Sequence, residues 1–186
     1  MTVGFAVCGS HCTFSQMFPA MEELAKHHTV IPIFSQATAS TDTRFGSAQE
    51  HLQRAEAICG CAPILTVAQA EPIGPRKLLD ALVIAPCTGN TLAKLAHSIA
   101  DSPVTMAAKS HLRNGRPILI GVSTNDALAG AAENIGKLMG RRHYYFIPFG
   151  QDDPIQKPTS MVADFSKLLP ALEAALGGRQ LQPILL

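Results

Sequence analysis

The sequence predicts an α/β fold: a doubly wound, mainly parallel six-stranded sheet between two helical layers, a Rossmann-like three-layer α/β/α arrangement. Three observations carry this. Short apolar runs without alternation, such as Ala81–Ala85 and Pro117–Val122, suit strands buried on both faces. Segments with apolar residues at helical spacing lie between them, for example Leu92, Leu95, Ala96 and Ile99. Strand and helix signals alternate along all 186 residues with no repeat, low-complexity segment or linker, which fits one domain with 177–186 as a tail.

Taken in order, Thr2–Val7 reads as the first strand and Cys8–Thr13 as its turn. Phe14, Met17, Phe18, Met21 and Leu24 mark a helix face, and Pro19 within it predicts a late start or a kink. Thr29–Phe34 is the second strand, with Pro32 pointing to an edge or an irregularity. Ser35–Gly46 is polar and reads as a loop. Ser47 and Glu50 form a capping-box signal for a helix to about Cys59. Pro63–Val67 is a third strand, and Gln69–Lys77 a loop or broken helix.

Ala81–Ala85 follows as a buried strand that Pro86 should end, then the small turn Cys87–Asn90 and a helix. Ser102 and Pro103 read as N-cap and first position of a helix to Leu112, ended by Asn114 and Gly115. After Pro117–Val122, Asn125 or Asp126 should cap a helix Ala127–Met139 that stops at Gly140. Tyr144–Phe149 is the last strand, and Ser160–Leu176 the last helix.

Composition excludes several classes. A net charge of +1 offers nothing to nucleic acid or an anionic membrane. No run approaches the roughly 20 apolar residues of a membrane span, and Met1–Val7 lacks a basic leader, so a cytoplasmic protein is expected. Five cysteines without C-x-x-C pairs predict neither a metal site nor a disulfide framework. Charged residues are 16% of the chain, below the typical value of about 25%, which suggests surface hidden in a homo-oligomer.

In such a sheet, ligands bind where the turns leave the carboxyl ends of the strands. Four polar turns should meet there. They carry Gly9, Ser10 and His11; Ser35 and Thr38; Cys87, Thr88, Gly89, Asn90 and Thr91; and Ser123 through Asp126. Small hydroxyls and amides with little charge, beside a helix N-terminus, suit the phosphate and polyol of a mononucleotide such as FMN. Gly9 stands alone rather than in G-x-G-x-x-G, and Phe34-Ser35 closes the second strand in place of an acid, which disfavours a dinucleotide. Ser10, Ser35 and Asn125 are equally what plain helix caps require. His11 reads equally as base, ligand contact or solvated histidine, and Cys87 as a small buried thiol. Lys109, His111, Arg113 and Arg116 form a basic stretch that a solvated helix end would also explain.

Several words of the chain carry a resemblance: Gly9-Ser-His-Cys-Thr13, Ser40-Thr-Asp-Thr-Arg-Phe-Gly46, Ala70-Glu-Pro-Ile-Gly-Pro75, Ile84 to Ala96, His111 to Pro117, Ser123 to Leu128 and Phe149 to Pro154. In these the chain resembles the B-subunit family of dipicolinate synthases. The resemblance implies a role, with the synthase's A subunit as partner, in oxidising a dihydrodipicolinate-like lysine-pathway intermediate to dipicolinic acid during sporulation, in the mother cell. It places the nicotinamide cofactor on the A subunit. More widely the chain is similar to the flavoprotein superfamily of flavin prenyltransferases and cysteine decarboxylases, which bind FMN through matching turns and form oligomers. That implies FMN contacts at Gly9, Ser10, His11, Ser35, Thr38, Cys87 through Thr91, and Ser123. A dicarboxylate substrate implies donors, for which Arg44, Lys109 and Arg113 are candidates, with His11, Asn90 and Asn125 as candidate catalytic residues. Pro72 stands where the decarboxylases carry a histidine, and Ser123 where the prenyltransferases carry an arginine. Two alternatives remain beside the oxidoreductase component: a non-catalytic or substrate-binding partner of the A subunit, and an FMN-dependent decarboxylase or prenyltransferase.

Overall fold

The computed structural model describes residues 1–186. Five strands run parallel in the order β2-β1-β3-β4-β5: β1 (Thr2–Val7), β2 (Thr29–Phe34), β3 (Ala81–Cys87), β4 (Ile118–Thr124) and β5 (Tyr144–Phe146). Two short strands, β6 (Phe149–Gly150) and β7 (Met161–Ala163), add an antiparallel ribbon, with β7 paired to Ser123 and Thr124 at the end of β4. The sheet therefore has seven strands rather than six.

Three strand expectations change. Pro63–Val67 contributes only one bridge, Ile64 to Ile33. Its continuation is lost to a capping box, in which Gln69 Oε1 accepts from the Leu65 and Thr66 N–H groups and turns the chain into α4 (Val67–Ala70). The predicted Tyr144–Phe149 strand is split into β5 and β6 around Pro148, which has no N–H to continue a ladder; its carbonyl instead accepts from Asp164 N at 2.8 Å. Pro86 does not end β3. The strand continues to Cys87, with a register shift between Ile84 and Cys87 that accommodates the proline. Pro32 does mark an edge, since β2 lies at the end of the sheet.

The helices follow their caps. α1 (Phe14–His27) runs unbroken through Pro19, which sits on the exposed face where the carbonyl it leaves unpaired meets water. α2 (Gln36–Ser40) occupies part of the predicted loop, capped by Ser35. α3 (Ala48–Cys59) has the expected reciprocal box between Ser47 and Glu50 and ends at Gly60, whose φ of 69° is left-handed. α5 (Gly89–Ala96) follows β3. α6 (Pro103–Leu112) begins at a Ser102–Thr105 box with Pro103 in its first turn. α7 spans only Ala132–Met139, because residues 126–131 wind as turns on the Asp126 carbonyl, and neither Asn125 nor Asp126 caps it. α8 (Leu168–Leu176) starts late, since β7 and a turn capped by Asp164 take up residues 161–167.

Helices α1, α3 and α8 cover one face and α4 to α7 the other, over a core of 47 buried residues. All of β3 is buried; Leu82, Val83 and Ile84 are each worth about 1.5–3 kcal/mol by burial alone. The tail is tied down: Phe149 N donates to Ile184 O and Leu186 N to Phe149 O. No helix is long and apolar enough to cross a membrane.

Candidate functional site

The sheet order places β1 beside β3, and the connections that leave them run to opposite sides. This is the switch point where an open α/β sheet leaves a crevice. An open cleft of about 570 Å³ lies there. Gly9, Ser10, His11 and Cys12 line it from the turn after β1, and Thr88 from the turn after β3. Ser123, Thr124 and Asn125 come from the end of β4, Thr43, Arg44 and Phe45 from the loop before α3, and Lys157 from the β6–β7 loop. Ser10 Oγ and Ser123 Oγ are 2.7 Å apart and close the cleft floor across β3. The turn itself is fixed by Ser10 N donating to Cys8 O and Thr13 Oγ1 to Ser10 O.

Thr88 precedes α5 but its hydroxyl does not cap the helix; it donates instead to Thr91 Oγ1 at 3.3 Å. The Gly89, Asn90 and Thr91 N–H groups at the start of α5 therefore keep the free donors and partial positive charge that attract an anion. Glycine at 89 leaves room for the side chains opposite: a Cβ there would lie 2.8 Å from Asp126 Oδ1 and 3.0 Å from Thr124 Oγ1, so the Asp126 side chain would have to move. The Asp126 carboxylate so close by offsets part of that positive charge and weakens the pull of the α5 start on any anion. The exposed Arg44 guanidinium stands over the Phe45 ring, 4.8 Å from its centroid, with no acidic partner, whereas Lys157 is held by Asp152 at 3.1 Å.

His11 sits between the cleft and an aromatic cluster. Its ring centroid lies 4.9 Å from Phe14 and 6.2 Å from His51, and both histidines bury an Nε2 atom without a partner. Burial lowers the His11 pKa below the usual imidazole value, with the Gly9 carbonyl opposing. Burial, then the neighbouring His11, lowers that of His51. Both shifts favour the neutral imidazole.

Not every expected residue reaches the cleft. Ser35 and the buried Thr38 bond to each other at 2.8 Å as the cap of α2, behind Gly9. Cys87 is buried, and burial raises its thiol pKa. Thr91 is buried and donates to Cys8 Sγ. Asn90 is exposed on the first turn of α5, outside the cleft wall. Lys109 and Arg113 lie on α6 and its end, where they line a different pocket. Pro72 belongs to a turn packed on α6 and does not line the cleft. Sequence reasoning missed Cys12, Thr43, Phe45 and His51, although all but His51 stand inside the words that carry the resemblance. Lys157 is brought in by a ribbon with no clear sequence signal.

Residues 1–157 match the family described as Flavoprotein. The chain belongs to the Flavoprotein family. This Flavoprotein member is 47% identical over 184 residues to the B subunit of dipicolinate synthase from Bacillus subtilis (strain 168), covering 98% of the chain and 92% of that protein. The crystal structure of the dipicolinate synthase B subunit from Bacillus halodurans superposes with a TM-score of 0.91 at 45% identity, covering 100% of this chain and 95% of the other. At 23% identity the fold alone is shared with the FMN-dependent cysteine decarboxylase SpaF, with a TM-score of 0.65 over 94% and 97% of the two chains.

Proposed function

We propose that this Flavoprotein family member is the B subunit of a dipicolinate synthase, acting with the A subunit to oxidise a dihydrodipicolinate-like dicarboxylate to the pyridine dicarboxylate. The observation that carries the reading is that four of the words that mark the chain as such a component, around residues 9–13, 40–46, 84–96 and 123–128, line or abut one cleft at the switch point. The reaction removes a hydride and a proton from the substrate ring. His11, neutral and half-buried, takes the proton. Arg44 holds a substrate carboxylate, and the Asn125 amide, whose Oδ1 accepts from Ser160, is left with donors for the other.

FMN fits the cleft on its polar side. Ser10, Thr88, Ser123 and the free N–H groups of α5 would hold its phosphate and polyol, and Gly9 leaves the approach clear. When bound, a flavin supplies a hydride acceptor. Phe45 is the only large apolar side chain on the wall, so the flavin ring would need a second apolar wall. Phe45 is exposed on the wall, Leu128 and Ile155 are exposed on the segments that carry Asn125 and Lys157, and such side chains suit a homo-oligomer that supplies it. The nicotinamide cofactor belongs on the A subunit, since the turn after β1 lacks a dinucleotide fingerprint. A role in sporulation and a place in the mother-cell cytoplasm follow from the same reading.

The test is reconstitution. The chain is purified, its visible spectrum is recorded with and without FMN, and dipicolinate formation is followed with the A subunit present. A yellow complex and dipicolinate output that drops at least tenfold with Arg44→Ser or His11→Gln are the expected results. Full output from folded complexes carrying either substitution would overturn the assignment of the cleft.

A further inference from the structure

A second pocket lies at the opposite edge of the sheet, between the end of α5, the length of α6 and the start of β5. It holds about 340 Å³, within the range of small-molecule sites. Its floor is apolar, made by Leu95, Ala108 and Leu112. Three cations line it, Lys109, Arg113 and Arg141, and no carboxylate does. Asp101, one residue beyond the wall, is engaged by Lys94 at 2.9 Å.

The Arg141 guanidinium is fixed in place. It donates to Leu95 O at 3.0 Å and to Ala96 O at 2.6 Å, using some of its five N–H groups on neutral acceptors and leaving the rest without an anion. Lys109 and Arg113 have no ionic partner. Tyr144 lines the same pocket; it is 8% exposed, and its hydroxyl finds no hydrogen-bond partner in the chain. Cations at helix C-termini are a common complement to the helix dipole, and that accounts for the presence of these three. It does not account for a concave apolar floor beneath them, beside a phenol whose hydroxyl bonds to nothing else in the chain.

We propose that this pocket binds a small organic di-acid with a flat apolar body. The body rests on Leu95, Ala108 and Leu112. One carboxylate is held by Arg141 and the Tyr144 hydroxyl, and the other by the Lys109 and Arg113 rim. Guanidinium suits the first because it can grip a carboxylate with two parallel N–H groups. The site is separate from the cleft, and nothing in its chemistry depends on the reaction proposed there.

Isothermal titration of the full chain with pyridine-2,6-dicarboxylate tests it, with inorganic phosphate and uncharged pyridine as probes of charge alone and ring alone. A second readout uses the absence of tryptophan from the sequence. Ile99→Trp, on the exposed rim, reports pocket occupancy by fluorescence. The dicarboxylate is expected to saturate the reporter, and the Lys109→Ser/Arg113→Ser pair to weaken binding at least about tenfold, the loss of one to two charged hydrogen bonds. Tyr144→Phe should weaken it severalfold, and Arg44→Ser in the cleft should leave the reporter signal unchanged. Three results would each overturn the proposal. One is an absence of both heat and reporter change attributable to this pocket by roughly 10 mM ligand. The others are equal affinity in the Lys109→Ser/Arg113→Ser variant, and phosphate or pyridine binding as tightly as the di-acid. A chain that makes no dipicolinate with the A subunit present but still saturates the reporter would disprove the cleft assignment and leave this one standing.

Discussion

Ser10 and Ser123 are 113 residues apart in sequence, and their hydroxyl oxygens are 2.7 Å apart in the fold. The bond ties the turn after β1 to the end of β4 across the intervening β3, so the cleft floor exists only when the sheet order is complete. The two ends of the bond are not equivalent. Ser123 is 2% exposed, whereas Ser10 is half-buried. Ser10→Ala strands a buried hydroxyl and should cost about 1–3 kcal/mol, while Ser123→Ala leaves Ser10 reachable by water and should cost about 0.5–1.5 kcal/mol. Urea unfolding of both and of the double variant should show a double-mutant cost below the sum.

Stability should fall on acidification. His111 is buried, and burial holds its pKa down at about 4 from 6.5, with the hydrogen bond to Pro117 O opposing. The folded form is therefore neutral through the window in which the unfolded chain binds a proton. The stabilisation is fully present above pH 6.5 and is lost as pH drops toward 4, on the order of 3 kcal/mol. His11 and His51 are lowered in the same direction. Unfolding free energies at pH 7 and pH 5 should differ accordingly, and His111→Gln, which can still donate to Pro117 O, should flatten the slope. An unchanged slope in that variant would show that His111 is not its source.

Thiol labelling should single out Cys12. It is exposed on the cleft wall, whereas burial pushes Cys8 up to about 11 and Cys59 up to about 12, and raises Cys61 and Cys87 as well. A thiolate-selective reagent at neutral pH should modify one cysteine per folded chain quickly, and Cys12→Ser should remove that phase. FMN, if it occupies the cleft, should slow it. Labelling at Cys87 before unfolding would contradict the burial of β3.

Gln180 serves the edge of the sheet. Its Oε1 accepts from Phe146 N at 2.8 Å and its Nε2 donates to Phe146 O at 2.7 Å, so one side chain completes the outer edge of β5 as a strand would. Gln180→Ala should cost about 1–3 kcal/mol, with faster amide exchange at Phe146 and little effect at β1. Unchanged exchange at Phe146 would mean that water replaces the amide.

The local signals that survive into the fold share one property: their partners lie within a few residues. The capping box at Ser47–Glu50, the Ser102 cap and Pro103 in the first turn of α6 are of this kind. The failures are cases where distant partners decide. Residues 161–163 pair with Ser123 and Thr124 and so become β7 rather than the start of a helix. Pro63–Val67 had the composition of a strand, but Gln69 drew its backbone away after a single bridge.

The candidate site divides in the same way. Gly9, Ser10, His11 and Thr88 were legible because they follow buried strands directly. Lys109 and Arg113 have the charge a dicarboxylate needs, yet α6 carries them to the far edge of the sheet, where Arg141 and Tyr144 join them. Charge can be read from a sequence one residue at a time; convergence cannot.

By itself, then, the sequence determined the layer architecture, the buried central strand and the positions of the polar turns, because hydrophobic period and short-range hydrogen bonding need no knowledge of the rest of the chain. The tertiary structure alone decided which turns share a cleft and which cations share a second pocket. It also decided that Thr91, which bonds to the distant Cys8, is used up in holding the fold. Those outcomes depend on strand order and helix packing, which bring together residues far apart in sequence, 83 positions for Cys8 and Thr91 and 113 for Ser10 and Ser123.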